Sequence, residues 1–379
     1  MPRLLNFHMK KIKEGSAEIY VPSQKKISKK LPVFYNPIMK LNRDMTILLL
    51  RQFPAMNLCD PLAGTGIRAI RFAKELKYKS IVANDISEKA VALIKKNIKH
   101  NKVKFKVYNK DANLMLLELK GFDFIDLDVF GSSNFMLDSS IKRISRNGIL
   151  AVTNTDTAAL TGTYPKVCVR KYWALPKKDY MMHETGLRIL IRKIQLIGMQ
   201  YEKALIPIFS YYKDHYLRIF FQCIKGKKDC DKIAKQHGMF NDAAPLWLGS
   251  LWDKKLVNKM YGQLLKTMEN KSPLKNTIDN NLIILKSIKN EKIINKNNQS
   301  GNELQKLLKI IKEESKVNVV GFYDIHTIVK NEKIKSIMKK EELIKKIRKK
   351  GFKTANTHFL GTGIRSDIPY DKLIKILKE

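Results

Sequence analysis

Between residues 56 and 225 the chain alternates short apolar runs with amphipathic segments, and that alternation leaves few folds open. MNLCD, SIVAND, VKFKVYN, FDFIDLD and GILAVTNT read as strands. The stretches between them carry apolar residues at helical spacing: residues 66–76, SEKAVALIKKNIKHN, ANLMLLEL, a segment running to about Arg146, and ETGLRILIRKIQLIG. Ser87 is placed to cap the second of these, with Glu88 favourable in its first turn. Strands that alternate with helices imply a parallel sheet with helices on both faces, an α/β, Rossmann-like arrangement. YEKALIPIFSYYKDHYLRIFFQCI (201–224) reads as a closing antiparallel pair. Upstream, residues 39–53 predict a helix, and residues 14–33 a short strand followed by a mobile basic loop.

The pattern changes after about Lys225. Residues 268–302 are rich in Lys, Asn and Ile, and NKNNQSGN reads as a linker or exposed turn. ELQKLLKIIKEES is helical, VVGFYDIHTIVK is a strand entering a helix, and KIKSIMKKEELIKKIRKKG is a basic helix ending at Gly351. The expected division is therefore a Rossmann-like domain over residues 1–225 and a C-terminal α+β RNA-binding domain over 226–379.

Charge bears on the partner. Lys plus Arg number 73 against 35 acidic residues, a net charge of +38, which favours a polyanion such as nucleic acid. The four cysteines, Cys59, Cys168, Cys223 and Cys230, form no CxxC pair. Cys223, Cys230 and His237 lack a fourth ligand, so no metal is expected. No apolar run is long enough to span a membrane, and the N-terminus is too polar for a secretory signal. These features lead to the expectation of a cytoplasmic monomer.

The chemistry sits at successive strand ends. The first strand runs into DPLAGTGIRAIR, where Gly64 and Gly66 let the backbone approach a ligand. Read alone, GTGIRA also satisfies a loose dinucleotide pattern. Asp60, four residues before Gly64, suits an ammonium group and would sit badly beside a pyrophosphate. Asp85 ends the second strand, where an acid grips ribose hydroxyls. Asp111 followed by Ala112 can read the amino edge of adenine, although Asp111 also suits a helix cap. The fourth strand ends in DLDVFGSS. An acid beside an aromatic is what methylation of an exocyclic amine requires: Asp128 to accept the amine N–H and Phe130 to stack on the base. Asp126 reads as support for Asp128.

These motifs resemble the archaeal and eukaryotic tRNA (guanine-26-N2)-dimethyltransferase (Trm1) family. The resemblance is carried by VFYNPIMKLNRD, DPLAGTGIRAIRFA, NDIS, KDANLML, DLDVFGSS, TDTAALTGTYP and HFLGTGIRSD, in order along most of the chain. It implies a class I methyltransferase domain, S-adenosyl-L-methionine as cofactor and tRNA as partner. It further implies Arg43 and Arg68, with Arg71, at the methionine carboxylate, Asp85 on the ribose, and Asp111 with Ala112 at the adenine. Phe34 and Phe130 would sandwich the guanine, with Asp128 on its amino group. Two departures stand out. Val129 replaces the proline common in the family's Asp-Pro-Phe form, and the family's paired zinc cysteines are missing. An NAD(P)-dependent oxidoreductase and a non-catalytic RNA-binding protein are the alternatives. The first conflicts with Asp60 and the net charge, and the second leaves the row of strand-end acids unexplained.

Overall fold

A computed structural model describes residues 7–23, 31–269 and 291–379, with the side chains of 291–301 excepted. The basic loop expected at 24–30 and much of the Lys/Asn/Ile-rich stretch lie outside the described residues. The chain opens with a hairpin of β1 (Met9–Glu14) and β2 (Ala17–Pro22), then α1 (Lys40–Leu50). The alternating region follows as β3 (Met56–Asp60), α2 (Ile67–Glu75), β4 (Tyr78–Asn84), α3 (Glu88–Asn101), β5 (Lys106–Tyr108), α4 (Ala112–Glu118), β6 (Phe122–Asp128), α5 (Asn134–Arg143) and β7 (Ile144–Asn154). Two short helices, α6 (Thr157–Leu160) and α7 (Pro165–Tyr172), precede α8 (Met182–Met199) and the strand pair β8 (Lys203–Lys213) and β9 (Tyr216–Lys225).

These strands form one seven-stranded sheet in the order β5-β4-β3-β6-β7-β9-β8. Pairings from β5 through β7 are parallel; β9 runs antiparallel to β7 and to β8. The order reverses at β3, which pairs with both β4 and β6. In such sheets ligands bind beyond the carboxyl ends of the strands at that reversal, and this is where β3 and β6 deliver Asp60 and Asp128. The strands are apolar because both faces are covered. Leu58, Phe124, Ile125, Leu127, Ile149 and Leu150 are all buried, each contributing about 1.5–3 kcal/mol.

The N-terminal hairpin is tied to the sheet in two ways. Ala17, Ile19 and Val21 pack on Ile67 and Ile70 of α2. Asn97 of α3 exchanges hydrogen bonds with the backbone of Tyr20, and Asn101 with that of Glu18, so helix side chains satisfy an otherwise bare strand edge.

The rest of the chain comprises α9 (Lys227–Ala234), β10 (His237–Phe240), β11 (Ala243–Trp247), α10 (Lys254–Glu269), α11 (Glu291–Glu314), β12 (Tyr323–Asp324), α12 (Ile325–Asn331), α13 (Lys340–Lys349), β13 (Thr354–Asn356), β14 (Gly363–Ser366) and α14 (Tyr370–Lys378). Packing does not break at residue 225. Leu246, Trp252, Val257, Leu308 and Ile311 join the core of the main sheet. A separate small core gathers residues between Ile325 and Leu377, around the sheet β12-β14-β13.

Two local expectations change, and one strand goes unforeseen. NKNNQSGN lies within α11 rather than in a turn. The basic helix begins only at Lys340, leaving residues 333–339 outside it. The first strand of the N-terminal hairpin, MKKIKE, gives no sequence signal because exposed Lys10, Lys11 and Lys13 break any apolar alternation. Among the described residues no helix is long and apolar enough to cross a membrane, and no group of three or more His, Cys, Asp or Glu gathers to hold a metal ion. His237 bonds Gln195 instead.

Candidate active site

A cavity of about 350 Å³ opens at the carboxyl edge of the sheet. Its floor is the turn after β3. Gly64 has φ of +54°, and a Cβ there would come within 2.9 Å of the Phe34 carbonyl oxygen, so only glycine lets the two segments approach this closely. Gly66, at φ +78°, caps α2. The remaining walls come from residues 34–43, from the β6 end at Asp128–Gly131, from Thr155–Thr157 after β7, and from His215 in the β8–β9 turn.

Asp60 is 2% exposed, and its Oδ2 has no hydrogen-bond partner among the described residues. Burial pushes its carboxyl up to about 7; Arg68 opposes the shift, while Asp126, Asp128 and Asp85 add to it. A buried carboxylate with an unsatisfied oxygen costs free energy unless a cationic ligand completes it. This is the strongest sign of what the cavity takes.

Beneath the floor lies a fully buried charge cluster. Arg218 of β9 makes a bidentate pair with Asp126 at 2.7 and 2.8 Å and also donates to Thr153 and Thr46. Arg68 bridges Asp126, at 2.9 Å, and Asp128. Asn42 accepts from Arg68, fixing the guanidinium from a third side. Asp128 therefore gives Oδ2 to Arg68, while its Oδ1 has no partner among the described residues. Burial works against ionising Asp128, but Arg68, then Arg218 and Arg43, outweighs it and holds the carboxyl below the usual range. The result is an ionised acceptor with one oxygen committed and one available.

The expected site residues fall into three groups. Phe34, Arg43, Asp60, Arg68, Asp128 and Phe130 line the cavity. Arg43 does so while bound to Glu14 at 2.6 and 2.7 Å. Arg71 does not line it; Glu14, Asp44 and Glu75 hold its guanidinium away from the cavity. Burial would raise Glu14, but Arg43 and then Arg71 prevail and hold it at about 2. Asp85, Asp111 and Ala112 lie beyond the cavity walls. Asp85 accepts the backbone N–H groups of Gly64 and Ser87, each at 2.9 Å, and Asp111 caps α4 through Asn113 and Leu114. Phe34 and Phe130 are 38% and 56% exposed and touch edge to face, centroids 5.9 Å apart and planes at 80°. A base cannot enter between rings so arranged until one of them turns.

Several contributors escape sequence reasoning. Asn84 bonds the carbonyls of Pro61 and Lys110 and accepts from the Lys110 N–H, pinning the loops that follow β3 and β5 to β4. Arg218 had a usable signal, since a charge inside the apolar run YLRIFFQCI demands a buried partner. Val129 is buried against the cavity. Its loop is held by a reciprocal pair: Gly131 N–H donates to Thr155 Oγ1, and Thr155 N–H donates to the Gly131 carbonyl. That pair restrains the loop where a proline would otherwise stiffen it.

A family model described as N2,N2-dimethylguanosine tRNA methyltransferase matches residues 15–243 and 283–378. The chain is 34% identical to the tRNA (guanine(26)-N(2)/guanine(27)-N(2))-dimethyltransferase of Aquifex aeolicus, covering 98% of this chain and 96% of the relative. It is 33% identical to the tRNA (guanine(26)-N(2))-dimethyltransferase of Pyrococcus horikoshii, covering 99% and 100%. Among solved structures, that of Trm1 from Pyrococcus horikoshii with S-adenosyl-L-methionine superposes with a TM-score of 0.82 over 97% of this chain and 100% of the other, at 33% identity.

Proposed function

The chain belongs to the N2,N2-dimethylguanosine tRNA methyltransferase family, and from that premise we propose how its cavity dimethylates N2 of guanine 26 in tRNA with S-adenosyl-L-methionine. The observation that carries the reading is the pairing, across one cavity, of an unsatisfied buried Asp60 with an ionised Asp128 flanked by two exposed phenylalanines. Bound S-adenosyl-L-methionine supplies an electrophilic methyl group on a sulfonium. Asp60 Oδ2 suits the ammonium of its methionine moiety, with the Gly64 turn beneath it. Asp85, Asp111 and Ala112 lie along the same strand edge and would receive the ribose and adenine.

Guanine's N2 is a weak nucleophile because its lone pair is delocalised into the ring. Asp128 Oδ1 accepts an N2–H bond, orienting the lone pair and stabilising positive charge as it develops on nitrogen. Phe130, with Phe34 turned away from it, stacks on the base and keeps it in line. Because Asp128 is held below the usual carboxylate range, it serves as an electrostatic acceptor, and the released proton passes on to solvent. The guanine must leave its stack, at a cost of about a few kcal/mol, which phosphate contacts offset. The exposed face of α13, with Lys345, Arg348 and Lys349, supports an RNA-binding role for the C-terminal core. Incubating unmodified tRNA with the enzyme and cofactor, then digesting it for nucleoside mass spectrometry, should yield N2,N2-dimethylguanosine; unmethylated guanosine alone would refute the assignment.

The state of Asp60 sets a pH dependence. Its folded pKa is raised, so below about 7 the ligand-free site is protonated and an ammonium-bearing ligand must displace that proton. Calorimetry with S-adenosylhomocysteine should show the dissociation constant rising about ten-fold per pH unit below pH 7. Asp60→Asn should bind more weakly and lose this slope. An unchanged slope in the variant would assign the proton elsewhere.

A further inference from the structure

Helix α7 presents an unusual surface beside the cavity. Lys166, Val169, Arg170 and Trp173 follow the i, i+3, i+4, i+7 spacing of one helix face, and all four are exposed. Trp173 caps the helix with φ of +57° and ψ of +39°, a left-handed conformation rare for a bulky side chain. It is held there by its own N–H, which donates to the Val169 carbonyl, and by its carbonyl, which accepts from Arg192. Lys193 Nζ sits over the indole, 2.7 Å from its centre, covering one ring face. The ring is nevertheless 47% exposed. A fold that places a large aromatic in a strained conformation, backs it with a cation and leaves it facing water is spending stability on something other than packing.

The surface is bolted to the catalytic loops. Lys171 Nζ and the Tyr172 hydroxyl both bond Asp156 Oδ2 at 2.9 Å, and Asp156 lines the cavity. The Ser132 hydroxyl bonds the Tyr172 oxygen, which accepts because its own proton goes to Asp156, and Asn134 donates to the Lys171 carbonyl, reaching the loop that carries Phe130. Lys171 and Tyr172 thus tie the helix that carries this face to the loops lining the cavity.

We propose that this face is a nucleobase-stacking platform for the substrate RNA: an unpaired base next to the extruded guanine stacks on Trp173, and its flanking phosphates meet Lys166 and Arg170. Charge complementarity, and the tie of this helix to the cavity-lining loops, select RNA as the occupant. The inference rests on tRNA being the substrate. Extruding one base leaves its neighbour unstacked, and an exposed indole with adjacent cations is the usual way proteins hold such a base.

The chain has three tryptophans, and Trp247 and Trp252 are buried, so Trp173 reports on its surroundings by its emission. Titrating the full-length enzyme with unmodified tRNA should quench tryptophan fluorescence. Trp173→Phe should bind tRNA almost as well but lose the quench. Trp173→Ala should raise the KM for tRNA about ten-fold, with S-adenosylhomocysteine affinity unchanged. Arg170→Ala should reduce the salt dependence of binding by about one counterion. A quench that persists in Trp173→Phe, or a wild-type KM in Trp173→Ala, would overturn the proposal; a patch serving a protein partner or a second copy of this chain gives that result. If wild-type enzyme neither binds nor methylates tRNA, the underlying function fails. If it methylates without a quench, only the platform does.

Discussion

Asp128→Ala is expected to lower kcat about a thousand-fold while leaving S-adenosylhomocysteine affinity within about three-fold of wild type. Asp128 gives one oxygen to Arg68 and keeps the other available to the cavity. Removing it deletes the acceptor that orients guanine N2, while Arg68 keeps its 2.9 Å pair with Asp126, which Arg218 also holds. The hydrogen-bonded frame under the floor therefore survives, and Asp60, freed of one like charge, remains able to bind an ammonium group. Asp128→Asn preserves the shape without the charge, and a loss of about a hundred-fold separates electrostatic stabilisation from positioning. The acid limb of the rate profile gives a second check. Asp128 is held below the ordinary carboxylate range, so a fall in kcat/KM near pH 7 that Asp60→Asn abolishes belongs to Asp60. Parallel loss of turnover and cofactor affinity in Asp128→Ala would instead make this residue part of the cofactor site.

Arg365→Met is expected to cost about 3–5 kcal/mol of stability. Arg365 is fully buried where the small C-terminal core meets the main one. It binds Glu184 of α8 at 2.6 and 3.1 Å and Glu314 of α11 at 3.0 Å, and it donates to the carbonyls of Val319 and Gly321. Burial would raise Glu184, but Arg365 and then Arg188 hold it at about 2; Glu314 is held low by His358 and then Arg365. In wild type these depressed carboxylates stabilise the fold above their unfolded pKa, and that stability is lost as pH falls from there through their folded values, about 2 for Glu184. Without Arg365 both are buried with too little positive charge and their pKa values rise. A raised pKa stabilises at low pH and loses that stability as pH increases, so the sign reverses. Urea unfolding should show the deficit of Arg365→Met largest near pH 7.5 and smaller near pH 5. An equal deficit at both pH values, or one under about 1 kcal/mol, would mean that Arg365 contributes packing alone.

The sheet was legible because its signal is local. Each strand from β3 to β9 is an apolar run set off by helical spacing, and the strand-end acids stand out because charge after a buried run needs a reason. What was not legible is long-range pairing. Arg68 and Arg71 lie three residues apart on α2, yet only Arg68 reaches the cavity; Glu14, from the N-terminal hairpin, captures Arg71. The sequence cannot show that, because MKKIKE carries no apolar alternation and Glu14 reads as a surface acid. Asp85 and Asp111 sit at the expected strand ends, but both are engaged by backbone N–H groups, a competition decided by loop conformation rather than residue type. NKNNQSGN reads as a break by composition and is helical, continuous with a segment whose Leu307, Leu308 and Ile311 pack on the main core.

The central claim is that this cavity delivers a methyl group to the exocyclic amine of guanine 26. Its most direct test uses two tRNA transcripts that differ at that position alone, one carrying guanosine and the other inosine, which lacks the amine. With labelled S-adenosyl-L-methionine, label should enter the guanosine transcript as N2-methylated nucleoside and be absent from the inosine transcript. Equal labelling of both would contradict the account, because the methyl would then be going to an atom other than the one Asp128 is placed to hold.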